Sequence, residues 1–123
     1  MYKKILLPYD FGNSFENVPG QLAKMSENSE GAIITIFNVI TENEMSSDVK
    51  CNGKRFNQIK EDKIKEMKPF TDELEKRDLE YEVRFEVGRV INELLTEINN
   101  HDYEVVVMSN KRSKRDIKHV LGH

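Results

Sequence analysis

The residues of this chain best placed to do chemistry lie in two short polar stretches, Pro8-Tyr9-Asp10-Phe11-Gly12-Asn13-Ser14 and Ser109-Asn110-Lys111-Arg112-Ser113. Each follows an apolar run, KILLPY in the first case and VVVM in the second. Asp10 offers a carboxylate that can accept hydrogen bonds from a ribose or a base. The second stretch and the helix start expected after it can hold an anion through backbone amides and through Lys111, Arg112, Lys114, Arg115 and Lys118. A sugar or base acceptor on one loop and an anion grip on another is the chemistry of a nucleotide site. The glycines that let a backbone wrap a phosphate are mostly absent, however, and Gly122 stands alone near the end of the run. Plainer readings stay open beside these. Asp10 at a strand end can cap the following turn, and the basic run can be a solvated face.

Other chemistries find little support. Ser109 and Ser113 have no histidine and aspartate in sequence context, so nucleophilic catalysis is not expected. His119 and His123 have a spacing that suits a metal on a helix, but Gly122 breaks that helix and no metal site is expected. Asp10 can hold Mg²⁺, yet no second group of a phosphoryl-transfer site is evident, which leaves at most a weak ATPase.

The elements that position these loops alternate. Lys4–Tyr9 is expected as a buried strand, followed by a loop in which Gly12 permits unusual backbone angles. A helix follows over Ser14–Asn28, capped by Asn13 or Ser14, with Phe15, Val18, Leu22 and Met25 buried; Pro19 argues for an irregular first turn or a start near Asn17. Ala32–Ile40 is apolar nearly throughout, as suits a central strand covered on both faces. Residues 41–53 show no periodicity and are expected as an exposed linker containing Cys51. Lys54–Arg77 is expected as one long charged helix interrupted or kinked at Pro69. Leu79–Val87 alternates strictly, the pattern of an edge or one-sided strand, and Gly88 ends it. Arg89–Asn100 is expected as a helix burying Val90, Ile91, Leu94, Leu95 and Ile98, with His101 at its end. Glu104–Met108 is expected as a buried strand and Lys114–Leu121 as the start of a last helix. Strands alternating with helices predict an α/β fold, an open parallel sheet with helices on both faces. In such sheets ligands bind beyond the carboxyl ends of the strands where strand order reverses. If the first and fourth strands are neighbours, Asp10 and Arg112 face one crevice.

The whole is one domain over its 123 residues. The formal charge of −3 provides no field for nucleic acid, which is not an expected partner. The single cysteine allows no intrachain disulfide and fits a reducing compartment. The apolar run at the N-terminus is too short for a signal peptide or a membrane span, so a cytoplasmic location is expected, away from membranes.

The opening MYKKILLPYD, the second strand ending FNVI, the segment GRVINELL and the run VVVMSNKRSKRDIKHVLGH together resemble the universal stress protein family, in order and over almost all of the chain. The resemblance implies a Rossmann-like sheet of order 3-2-1-4 followed by a fifth strand, and usually a homodimer. It implies a stress-response role with no settled catalytic reaction, and ATP binding in some members only. In the ATP-binding members the loop after the fourth strand reads Gly-x2-Gly-x9-Gly-Ser/Thr. On this chain those positions fall on Ser109, Arg112, Gly122 and His123, so Gly122 alone matches. Asp10 matches the aspartate at the end of the first strand, Pro8 falls near the adenine, and Val39 matches the apolar residue that packs on the base. The base-and-sugar side is thus kept and the phosphate side is not. The expected ligand is ATP or AMP, gripped at its phosphates by Lys111 and Arg112 if it is bound, or else lost in a module that works by dimerisation or by binding another protein. The family's last helix and fifth strand are expected to be missing, which would leave the fourth strand as an apolar edge.

Overall fold

The apolar runs become strands because their β-branched and aliphatic residues lose little in an extended chain and gain burial on a pleated surface. The computed structural model describes residues 2–11, 15–27, 30–53 and 55–108, without the side chains of 48–52. In chain order these form β1 (Lys4–Pro8), α1 (Val18–Met25), β2 (Ile33–Ile40), α2 (Glu42–Asn52), α3 (Phe56–Glu66), α4 (Lys68–Lys76), β3 (Glu80–Val87), α5 (Val90–Asn100) and β4 (Val105–Val106). The strands make one parallel sheet in the order β3-β2-β1-β4. Leu6 pairs with Thr35 on one side and Val106 on the other, and β2 pairs with β3 along its full length from Ile33↔Glu80 to Ile40↔Val87. The Glu104 carboxylate pins the start of β4 to that of β1 by accepting the N–H groups of Lys3 and Lys4, which holds its pKa below the usual carboxylate range.

Successive residues of β1 and β2 point to opposite faces, and the two faces are filled unequally. Ile5, Leu7, Ile34 and Ile36 pack with Phe15, Val18 and Leu22 from the α1 region and with Met67, Phe70 and Leu74 from α4. On the other face Leu6, Phe37 and Val39 meet half-buried Leu94 and Ile98 of α5, Tyr103 and Val106. What anchors α5 there is a carboxylate. Glu97 is buried at 4% exposure. It accepts from Arg84 Nη2 at 3.1 Å and from the Tyr103 hydroxyl at 2.6 Å. His101 Nε2 stands 3.7 Å away. Burying a carboxylate is costly unless charge and hydrogen bonds meet it, and here a guanidinium from β3 and a phenol from the β4 approach do so.

Three expectations change, and the interruption expected at Pro69 is present but falls at Met67. Residues 41–53 contain α2, not a bare linker: the Thr41 hydroxyl accepts the Glu44 N–H at 3.1 Å, and Glu42 and Glu44 sit favourably in the first turn. The helix escapes a periodicity search because its sequence is mostly polar and none of its described side chains, 42–47, is buried; Lys63 of α3 ties to it through Glu44 at 3.0 Å. The long charged helix is two helices that meet at fully buried Met67, with Pro69 in the first turn of α4, where its missing N–H breaks no helical bond. In α5, Val90, Ile91 and Leu95 are 49%, 65% and 53% exposed among the described residues, because no other described helix packs on this sheet face and α5 buries one narrow stripe there, Leu94, Glu97 and Ile98. Finally β4 is half-buried, with two residues in the ladder. The first helix takes the later start, with Asn17 as its N-cap and Pro19 in its first turn. The capping residues Asn13 and Ser14 and the last expected helix lie outside the described residues. Among the described residues no helix is long and apolar enough to cross a membrane.

Candidate functional site

β1 and β4 are adjacent and parallel, so the chain leaves both at the same end of the sheet. Strand order also reverses there, since the chain runs outward from β1 to β2 and β3 before crossing back to β4. Here the chain past β1 is stitched to β2: the Tyr9 N–H donates to the Phe37 carbonyl at 2.8 Å, and Asn38 Nδ2 donates to the Tyr9 carbonyl at 2.9 Å. Asn38 is 6% exposed, and its Oδ1 has no partner among the described residues. The amide thus fixes the turn that carries Asp10.

A cleft of about 150 Å³ opens at this end, lined by Pro8, Tyr9, Asp10, Phe37, Val39, Val90, Ile91, Leu94 and Met108. Pro8, Asp10 and Val39, the three site residues expected on the described part of the chain, come together in it. Its floor is Phe37 and Val39, and its apolar lips are Val90, Ile91 and Met108, all substantially exposed. Asp10 is the one charged lining residue among those described. Tyr9 borders the cleft, but its ring turns to the other face, where it packs on Phe15 and Phe70 and where burial first and then the Glu66 carboxylate raise the pKa of its phenol. The arrangement can sandwich a flat ring between aliphatic walls and offer one carboxylate to a hydroxyl or N–H at its edge. It is too small for a whole nucleotide. Sugar and phosphates would have to continue past Met108, towards the loop of Ser109, Lys111, Arg112 and Gly122, which lies outside the described residues.

Beside this cleft, and sharing Val90 with it, is a polar hollow of about 340 Å³ bordered by Thr41, Glu42, Asn43, Gly88 and Arg89. Gly88 has φ +151°, a backbone angle that favours glycine at the turn from β3 into α5, while a Cβ there would meet only the movable side chain of Glu93. Reasoning from sequence placed Gly88 only as a strand terminator and passed over Phe37, Met108 and Asn38. The first two carried a signal, Met108 as an apolar residue just past a strand and Phe37 as an aromatic inside one. Asn38 carried one too: a single amide inside an apolar strand must find a partner nearby.

The model of the universal stress protein family matches residues 1–123. Among solved structures, that of hypothetical protein MJ0577, described as a structure-based assignment of biochemical function and a test case of structural genomics, superposes with a TM-score of 0.69 at 22% identity. The match covers 94% of this chain and 81% of that one, and at this identity it speaks for the fold alone. No curated protein matches.

Proposed function

We propose a function on one premise: the chain belongs to the universal stress protein family. On that premise it is a cytoplasmic stress-response module without catalytic turnover. Its cleft takes the base and sugar of an adenine nucleotide weakly, and its phosphate grip is altered. One observation carries this reading: Pro8, Asp10 and Val39, drawn from the ends of two strands, line the same cleft beside the β1–β4 switch. The cleft's size suits a base, and Asp10 suits a ribose hydroxyl. The phosphate side rests on Lys111 and Arg112, where the ATP-binding pattern has glycine at the position of Arg112, and on Gly122, where it agrees. A side chain in place of glycine blocks close backbone approach, while the added charges hold phosphate less specifically. β4 at the edge of the described sheet presents free ladder positions, which supports pairing with a second copy or another protein.

The test is thermal unfolding of the full chain with adenosine, AMP and ATP. A ligand present at its Kd adds about 0.4 kcal/mol, a shift on the order of 1–2 °C. The expected result is a shift of that size at millimolar concentration, similar for all three ligands and lost in Asp10→Ala. No shift with any of them sinks the binding reading. A much larger shift with ATP than with adenosine, removed by reversing the charges of Lys111 and Arg112, would mean that the phosphate grip is intact. Native mass spectrometry of the same sample reports bound ligand and copy number together.

A further inference from the structure

A second cleft, of about 470 Å³, opens on the other face of the sheet, between the α1 region and α4. A cluster of rings backs it, with Phe15 and Phe70 themselves buried. Tyr9 stacks on Phe15 with centroids 4.4 Å apart and planes 11° apart, and Phe70 closes on the two at 5.5 and 5.6 Å. Pro19 and Pro69, each in the first turn of its helix, extend the apolar surface. Among the described residues the charged groups that line it are both carboxylates, Glu16 and Glu73. A third, Glu66, lies close enough to act on the Tyr9 phenol. The neighbouring ammonium groups are engaged around the cleft: Lys68 with Asp72 at 3.0 Å, Lys63 with Glu44 at 3.0 Å and over the Phe11 ring at 4.9 Å. Lys76 stands 3.5 Å from Glu73; this pair and Lys68–Asp72 are both largely exposed, so solvent screens each and a cation entering the cleft competes with Lys76 for Glu73.

We infer that this cleft binds a small organic cation, an ammonium group carried on a flat apolar body. The body lies against the prolines and the part-exposed Tyr9, where its burial is favourable, and the ammonium meets the carboxylates. The volume falls in the range of sites for ligands of that size. An anion of the same shape is rejected by like charge, and a neutral arene gains the wall without the rim. The site is independent of the nucleotide reading, since the two clefts share Tyr9 alone and lie on opposite faces.

The experiment is a titration of the labelled full chain, followed by NMR shifts, with three probes of one shape: phenethylammonium, 2-phenylethanol and 3-phenylpropionate. The expected order is ammonium, then alcohol, then carboxylate. The ammonium should bind about threefold or more tighter than the alcohol, with dissociation constants in the millimolar range. Shifts should centre on Phe15, Phe70 and the Tyr9 ring. The double variant Glu16→Gln, Glu73→Gln keeps side-chain volume at positions that no core contact depends on. It should bring the ammonium down to the alcohol's affinity and leave the alcohol unchanged. Equal binding of all three probes, absence of saturable binding, or a charge preference that survives the double variant overturns the inference. Adenosine shifts would map to Val39 and α5 instead, so failure of either site is read separately.

Discussion

Glu97 shows how one residue can decide the seating of an element. Its position in α5 looks like that of any helical glutamate, yet it is buried and held by Arg84 and Tyr103. Tyr103 pays for this arrangement in acidity: burial first, and then its hydrogen bond to the Glu97 carboxylate, push its pKa from 10 up to about 12. The sign follows directly. The folded state favours the neutral phenol, so the contribution is fully present below the unfolded value near 10 and is lost as pH rises from there towards 12. Tyr103→Phe removes a hydrogen bond to a charged acceptor, and about 1–2 kcal/mol of stability at pH 7 should go with it. The variant should also lose less stability than the parent between pH 10 and 12. Urea midpoints across that range check both outcomes. Parallel alkaline losses in the two proteins would mean that the phenol is not the group being titrated.

At the scale of elements, the ends of the helices are set by local chemistry, and one of them is strained. α4 stops at Arg77, and Asp78 takes φ 61° while the Leu79 N–H reaches back to the Leu74 carbonyl at 3.0 Å. That is a left-handed helix stop, a position that favours glycine. Asp78→Gly should therefore stabilise the chain by about 0.5–1 kcal/mol, a rise in Tm of about 2–5 °C. A fall in Tm would show that the aspartate side chain contributes more there than its backbone costs. This stop illustrates what a sequence carries and what it hides. The strands were legible because runs such as IITIFNVI fit only a doubly covered strand, and the end of the sheet that bears the cleft was legible from Pro8 and Asp10 following one of them. α2 was hidden because its order comes from a cap and a charged first turn in a mostly polar sequence. Val90, Ile91 and Leu95 have the spacing of buried residues, but spacing cannot say how many neighbours a helix finds on its face. Glu97 and Asn38 were hidden for the complementary reason: their partners come from other elements, which only the folded chain brings within reach.

Taken together, the described residues cover one face of the sheet thickly and the other thinly. The face under α1 and α4 buries Leu22, Met67 and Leu74 completely, whereas α5 touches its face through half-buried Leu94 and Ile98 and the Glu97 clamp. Local opening costs least where least apolar surface is exposed by it. Amide exchange in α5 should therefore be faster than in β1, β2 and α4, with the first turns, from Val90 to Leu94, exchanging before the clamped end near Glu97. That first half of α5 forms a lip of the cleft that holds Asp10. A ligand seated on Phe37 and Val39 would press on Val90, Ile91 and Leu94, giving the thin layer apolar contacts among the described residues that it otherwise lacks. Saturation with adenosine should then slow exchange across Val90–Leu94 while leaving α4 unchanged, and phenethylammonium should do the reverse. Hydrogen–deuterium exchange read by mass spectrometry separates the two patterns. Exchange in α5 as slow as in β2 before any ligand is added would mean that this face is already covered, and the mobile lip would have to be abandoned.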